Sequence, residues 1–402
     1  MPRVRQADSR HLVVAALVLL IQVTVTPGHG PGVNPPGPDR FDAATFDPVV
    51  LDGIRRGAFP GAALVIGRRD TILFAKGYGR LTWSARSPAV SVDSTLWDLA
   101  SLTKVVATTP ALMLLVESGK LDLDAPVVHY VPEFSGPGTA AITVRHLLTH
   151  TSGLRGTLPL REAADSAAAL RMVLTTTPLV PPGTRMVYSD LNAILLGEIV
   201  RRVSGLPLEE FVVREIITPL GLEQQMMFRP PKRLDRQGRI APTGLWRGHA
   251  VAGVVNDPNA AKLGGVAGHA GLFATATALA RFAQFMLREG ERDGRRLFKA
   301  ETVRQFTRIA VPARRGSSAR TLGWEAVPTG ETVSSAGTLL GPRSYGHTGW
   351  TGTSLWIDPD RGLFIVLLTN RAYDPRAGGS FTVLKEVRGR VADAAARAAD
   401  AR

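Results

Sequence analysis

The stretch WDLASLTKVVATTPALMLLVESGK, residues 97–120, carries a fold signal and a chemical signal together. Its second half is an apolar run of helical character, and Ser101 and Lys104 stand at its start, three positions apart. On a helix, positions i and i+3 share a face, so a serine hydroxyl and a lysine ammonium meet there. A serine at a helix N-terminus also gains from the dipole, which favours negative charge on its oxygen. An ordinary hydroxyl is a weak nucleophile without such help. The same four residues also suit a plain helix N-cap, so the tetrapeptide alone does not decide between the two. Pro110 falls inside the run, where it lacks the donor for the Val106 carbonyl and clashes with it; a kink near Val106, beyond the turn that carries Ser101 and Lys104, is predicted.

Outward from this segment the pattern changes. Ala62 to Ile66 and Thr71 to Ala75 are short apolar runs joined by Gly67-Arg68-Arg69-Asp70, the pattern of a hairpin. Near the other end, Ser354 to Ile357 and Leu363 to Leu368 flank Asp358-Pro359-Asp360-Arg361-Gly362, a second hairpin with strong turn chemistry. Between them, Leu102 to Ser118, Asn192 to Val203, Leu208 to Ile217 and Thr277 to Arg288 read as helices. Strands at both ends around a helical middle predict an α+β fold: an antiparallel sheet built from both chain ends, flanked by helices, with an inserted mainly helical region.

The 402 residues are 45% apolar and 20% charged, enough for one large core, and there is no cysteine, which excludes disulfides, thiolate metal sites and cysteine nucleophiles. Residues 1–26 read as an export signal or N-terminal anchor, because Arg3, Arg5 and Arg10 precede a mostly apolar run from Leu12 to Val25. Residues 27–39 are a Pro/Gly linker, residues 40–392 the folded domain, and residues 393–402 a tail expected to fray after a terminal helix. The protein is therefore expected to be exported, periplasmic or extracellular, with membrane anchoring through residues 12–25 left open. Net charge is +14, yet basic residues occur in short clusters such as Arg201-Arg202 without interleaved aromatics, so no nucleic-acid partner is expected.

Two further segments carry chemistry. Tyr188-Ser189-Asp190 follows Pro181-Pro182-Gly183 at the mouth of a helix, and a tyrosine beside a lysine can serve as general base. The competing reading is an ordinary aromatic with Ser189 or Asp190 capping that helix. His347-Thr348-Gly349-Trp350 leads directly into the strand at Ser354; the glycine allows close approach at a strand edge, and the next backbone N–H can face an oxyanion. Its competing reading is a plain turn.

In this order and spacing the three segments resemble the serine β-lactamase and penicillin-binding-protein superfamily, in its tyrosine-bearing branch of class C lactamases, D-alanyl-D-alanine peptidases and related esterases. The resemblance runs from about Phe41 to Arg390. It includes HLLTHTSGL from His146, YSDLNAILLGEIV from Tyr188, HTGWTGTSLWIDPDRGLFIVLLTNR from His347 and NDPNAAKLGGVAGHAGLFATATALARF from Asn256. It implies a β-lactamase/transpeptidase-like fold, an acyl-enzyme on Ser101, and Lys104 assisting its deprotonation. Tyr188 would pass a proton to the leaving group, the backbone N–H groups of Ser101 and Trp350 would form the oxyanion hole, and no cofactor would be needed. Two positions depart from the pattern. Asp190 stands where the branch often has Asn, and His347 replaces the Lys of the K-T-G box, which removes a permanent cation for a substrate carboxylate. On that ground the expected activity is an esterase or D-amino-peptidase-like hydrolase of small ester, amide or peptidoglycan-derived substrates. The alternatives are a β-lactamase, or a cell-wall-peptide binder without turnover.

Other signals read as structural. His146 and His150 have zinc-helix spacing, but Leu147 stands where the glutamate of H-E-x-x-H is required, so no metal is expected. His269 reads as structural or cleft-lining, and Gly264, Gly265, Gly268 and Gly271 as a tight loop near the site. Trp246, Trp324, Tyr345 and Trp350 are candidates for cleft walls, with core packing as the equal alternative.

Overall fold

The computed structural model describes residues 40–314, 317–331 and 333–401, so the expectations for residues 1–39 lie outside the described residues. The helices that frame the site are α1 (Ala43–Arg55), α2 (Thr109–Glu117), α3 (Asp190–Ser204), α4 (Ala276–Leu287) and α5 (Ser380–Asp400). Seven strands form one antiparallel sheet: β1 (Gly61–Arg68), β2 (Ile72–Gly79), β3 (Ala319–Arg320), β4 (Glu325–Ala326), β5 (Tyr345–Thr348), β6 (Ser354–Asp358) and β7 (Leu363–Thr369). Their spatial order is β3-β4-β5-β6-β7-β1-β2. The first strand of the chain thus pairs with the last, Val65 opposite Val366, and both predicted hairpins are present within this one sheet.

Strand alternation sorts the side chains into two layers. Ala62, Leu64, Ile66, Ile365 and Leu367 join Phe46 and Val50 of α1 and Leu384, Val387 and Val391 of α5 in one buried cluster. Ala63, Val65, Phe364, Val366 and Leu368 face the other way, into the larger core that holds the helical middle. β1 and β7 are buried on both faces, which is why they read as continuous apolar runs.

The helix after Ser101 shows how the chain absorbs Pro110. A π-helical turn spans Lys104–Thr108, the Thr109 N–H reaches back five residues to the Lys104 carbonyl, and Pro110 sits at the start of α2. The expected kink is realised as a widened turn, which accommodates the proline's missing N–H and its bulk. The turn lies at the functional end of the helix, with Lys104 as its first residue.

The tail departs from expectation. α5 continues to Asp400; Ala394, Ala395, Ala396 and Ala399 are buried, Arg361 binds Asp400 through Nε at 2.7 Å and Nη2 at 3.0 Å, and Arg68 donates to the Ala399 carbonyl. Alanines give a weak sequence signal of burial because they carry so little apolar surface. A chain ending at Ala392 is expected to lose about 3 kcal/mol of unfolding free energy, near 0.8 kcal/mol per buried methyl. A urea melt reads this directly, and an unchanged midpoint would return these residues to a frayed tail.

Candidate active site

The turn before Ser101 is built under constraint. Trp97 and Asp98 form a short strand paired with Ala274 and Phe273. Ala100 then adopts φ 47°, in the left-handed region that disfavours a residue with a Cβ. What holds it there is the buried Asp98 carboxylate, which accepts from the Ala100 N–H at 2.9 Å and from the Asn256 N–H at 2.6 Å. The hydroxyls of Thr351 and Thr353 donate to the Asp98 and Leu99 carbonyls at 2.7 and 3.0 Å. Burial pushes the Asp98 carboxyl up to about 6 against the opposing pull of its two amide hydrogen bonds.

Ser101 emerges from this turn and receives two hydrogen bonds. Lys104 Nζ donates to its Oγ at 3.0 Å and the Tyr188 hydroxyl donates at 2.9 Å. Lys104 is 4% exposed, and its ammonium also donates to Asp190 Oδ1 at 2.8 Å and to the His269 carbonyl at 3.2 Å. Burial pulls the Lys104 ammonium down, but Asp190 and Tyr188 outweigh it and leave it above its ordinary value. Asp190 therefore does not cap α3, and Ser189, at the N-cap position, sends its hydroxyl to the Arg155 carbonyl at 2.6 Å.

Cations and imidazoles flank the Tyr188 ring, which is 36% exposed. Its centroid lies 5.0 Å from Lys104 Nζ, 5.7 Å from the Arg320 guanidinium carbon, 4.7 Å from the His150 ring and 5.8 Å from the His347 ring. His150 Nδ1 accepts from the Ser189 N–H at 3.2 Å and meets Asn192 Nδ2 at 3.2 Å, so it fixes the start of α3. His347 lies 2.8 Å through Nδ1 from the Thr348 carbonyl, which places its proton there, and among the described residues its buried Nε2 has no partner. Burial, then the charge of Arg320, then that of Lys104, hold both histidines well below the ordinary imidazole value, so both are neutral.

The structure brings together Ser101, Lys104, Tyr188, Asp190 and His347. It sets the end of β5 against them in a way the sequence reading did not foresee. A Cβ at Gly349 would run into the Leu99 carbonyl and sit against Ala100, so this glycine lets the nucleophile turn itself, beyond any substrate, approach the strand. Thr348 pairs with Ser354 beside it. Among the described residues the backbone N–H groups of Ser101 and Trp350 have no acceptor, leaving both available to an oxyanion.

The remaining candidates fall elsewhere. Trp324 and Tyr345 are buried and packed edge-on at 5.1 Å, so they belong to the core and not to a cleft wall. Trp246 is exposed on a small hairpin, stacked on Arg247. His146 caps its own short helix, and His269 places Nε2 3.0 Å from Asp257. Gly268 packs against the Ala193 carbonyl of α3, the close approach that the glycine-rich loop serves. Sequence reasoning missed Arg320 altogether. It is 5% exposed, and its Nε and Nη1 are buried without a partner among the described residues. It is one of many arginines in a stretch without a motif, and only the folded strand β3 brings it to Tyr188.

The family model described as Beta-lactamase matches residues 46–387. The chain belongs to the Beta-lactamase family. A provisionally named D-alanyl-D-alanine carboxypeptidase of Escherichia coli strain K12 is 33% identical over 353 residues, covering 79% of this chain and 80% of that protein. One so named from Salmonella agona is 31% identical and covers 90% and 92%. Among solved structures, a penicillin-binding-protein homologue from Caulobacter crescentus superposes with TM-score 0.68 at 22% identity, over 87% of this chain and 97% of that one. A hydrolase with promiscuous acyltransferase activity gives TM-score 0.68 at 21% identity, over 87% and 98%, and a class C β-lactamase mutant 0.67 at 23%, over 86% and 96%. These neighbours establish the β-lactamase-family fold, with its mixed helices and antiparallel sheet.

In this family member the Lys104 charge state depends on Asp190. Replacing Asp190 with Asn removes the strongest influence that raises the ammonium and leaves burial dominant. Asp190→Asn is therefore expected to move the Lys104 titration to lower pH, as read by NMR of the lysine side chain; an unmoved titration would show that Asp190 does not set it.

Proposed function

We propose that this serine hydrolase is a carboxypeptidase-type enzyme that forms an acyl-enzyme on Ser101 and accepts substrates ending in a free carboxylate. The observation that carries this reading is Arg320: a buried guanidinium beside Tyr188, two of whose nitrogens have no partner among the described residues. The His347 substitution argued against carboxylate-bearing substrates because it removes a permanent cation. Arg320 supplies a cation from another strand, and a guanidinium beside Tyr188 attracts a substrate carboxylate. The curated relatives named D-alanyl-D-alanine carboxypeptidase support the same substrate class, a peptidoglycan-derived peptide.

The chemistry follows from the hydrogen bonds around Ser101. Oγ attacks the substrate carbonyl carbon while its proton passes to the Tyr188 oxygen and Tyr188 passes its own proton to the substrate nitrogen in the same relay. The tyrosine thus stays neutral, and the C–N bond breaks to release a neutral amine. Lys104 stays an ammonium, held by Asp190, and stabilises negative charge on Oγ. The Ser101 and Trp350 N–H groups receive the oxyanion. Water then attacks the acyl carbon, the ester bond to Oγ breaks, and Ser101 recovers its proton through the same tyrosine.

Two substrates separate the readings: an acylated peptide ending in D-Ala-D-Ala, and its C-terminal amide. The wild-type chain is expected to favour the free acid by about 10²-fold in kcat/KM, near 3 kcal/mol for a charge-assisted pair. Arg320→Gln should erase that preference while a neutral p-nitrophenyl ester is hydrolysed at a similar rate. Ser101→Ala should lose about 10³-fold or more on every substrate. A chain that prefers the neutral ester, with Arg320→Gln silent, would be an esterase; efficient opening of a cephalosporin would make it a β-lactamase.

A further inference from the structure

Arg388 lies on α5, on the far side of the sheet end from Ser101, and is 2% exposed. Its Nη2 donates to the Gly349 carbonyl at 3.1 Å and to the Thr353 carbonyl at 2.6 Å, and among the described residues its Nε has no partner and it forms no ion pair. A buried cation without a carboxylate is costly, and a structural need for hydrogen bonds does not account for it. Both carbonyls are already satisfied: the Gly352 N–H donates to Gly349 at 3.1 Å and the Gly349 N–H to Thr353 at 2.7 Å. The guanidinium is a surplus donor on a turn that closes without it.

What the surplus donor does follows from the peptide unit it touches. The Gly349 carbonyl shares its amide plane with the Trp350 N–H, so charge drawn onto the oxygen leaves the N–H more positive. Arg371 adds to the field from the next peptide, donating to the Trp350 carbonyl at 3.2 Å from Nε and 2.6 Å from Nη2, and it too has no ion pair among the described residues. We propose that Arg388 is a positioning residue for acyl transfer, polarising the Gly349–Trp350 peptide from behind so that the Trp350 N–H binds the oxyanion more strongly than a neutral turn would. The proposal rests on the acyl-enzyme reading above and assigns to the C-terminal helix a part in transition-state stabilisation that the cleft residues alone do not reveal.

The test compares Arg388→Met, which removes the charge but fills the space, with Arg388→Lys, which keeps the charge at reduced reach. Arg388→Met is expected to lower kcat for a p-nitrophenyl ester by about 30-fold, somewhat less than loss of a direct oxyanion donor, with KM within about twofold. Its affinity for a phosphonate or boronate analogue of the tetrahedral intermediate should fall by the same factor, and Arg388→Lys should restore most of both. A loss confined to KM or to thermal stability, or a lysine variant as impaired as the methionine variant, would overturn the proposal. Should the methionine variant fail to fold, Arg388→Gln, which is neutral but keeps a donor toward these carbonyls, decides by vibrational spectroscopy. The acyl-enzyme carbonyl stretch should rise relative to wild type as the oxyanion donor weakens, and an unchanged frequency overturns the idea. Ester turnover that survives Ser101→Ala would defeat the acyl-enzyme reading itself, an outcome distinct from either Arg388 result.

Discussion

A buried ammonium must find acceptors for three protons, and Lys104 finds them in three separate segments: the Ser101 hydroxyl, the Asp190 carboxylate and the His269 carbonyl. Each acceptor fixes one part of the site. The bond to Ser101 sets the nucleophile turn against its helix, the bond to Asp190 sets the rotation and height of α3, and the bond to His269 draws in the loop that carries Asp257 and Asn256. An unmet donor at this depth would cost about 1–3 kcal/mol or more. The three contacts therefore select one arrangement of these segments, and the π-turn starting at Lys104 is the local backbone adjustment that delivers the side chain to it.

Around that ammonium the cleft carries more positive than negative charge. Asp190 neutralises Lys104, but among the described residues Arg320, Arg371 and Arg388 have no carboxylate partners, and they lie at the Tyr188 ring, the Trp350 carbonyl and the Gly349 carbonyl respectively. The two imidazoles between them respond as electrostatics requires and stay neutral. A histidine in place of a lysine at position 347 is thus consistent with its surroundings: with Arg320 and Lys104 already there, a further cation would meet strong repulsion. The field favours an anion in two places, beside Tyr188 and at the Trp350 N–H, as the proposed carboxylate-bearing substrate and its oxyanion require. Unpaired buried charges lower stability, and their concentration at one cleft is the pattern that a functional site produces.

What the sequence revealed about this fold was local. The hairpins announce themselves through turn residues between apolar runs, and Ser101 with Lys104 through a spacing that one helical turn enforces. Tyr188 and Trp350 were legible because each stands beside a structural marker, a proline-rich turn before a helix and a glycine before a strand. Arg320, Arg371 and Arg388 had no such marker. Their meaning comes from burial and from a missing partner, properties of tertiary structure in a chain where arginine is common everywhere. The aromatic residues failed as guides for the converse reason: Trp324 and Tyr345 suit a cleft and a core equally well by composition, and only packing across the sheet decides. The alanines of α5 hid a buried helix end because each contributes little apolar surface, so burial accumulates without a visible peak.

Asp98 shows how the two kinds of information meet in one residue. Its place three positions before Ser101 is plain in the sequence, but its work depends on the left-handed φ of Ala100 and on the arrival of Asn256 from far along the chain. Glycine at position 100 would adopt this conformation without strain; alanine does so only while something holds its N–H, and one carboxylate oxygen does that while the other holds the loop behind Lys104. Burial opposes the charge that makes these bonds strong, which is why the carboxyl is displaced upward despite its two donors. The turn that presents Ser101 is therefore not the conformation its own residues prefer. It is imposed by a carboxylate, two threonine hydroxyls and a strand end stripped to glycine at Gly349, and the Ser101 hydroxyl is held in place by the sheet and the loop together more than by the helix it begins.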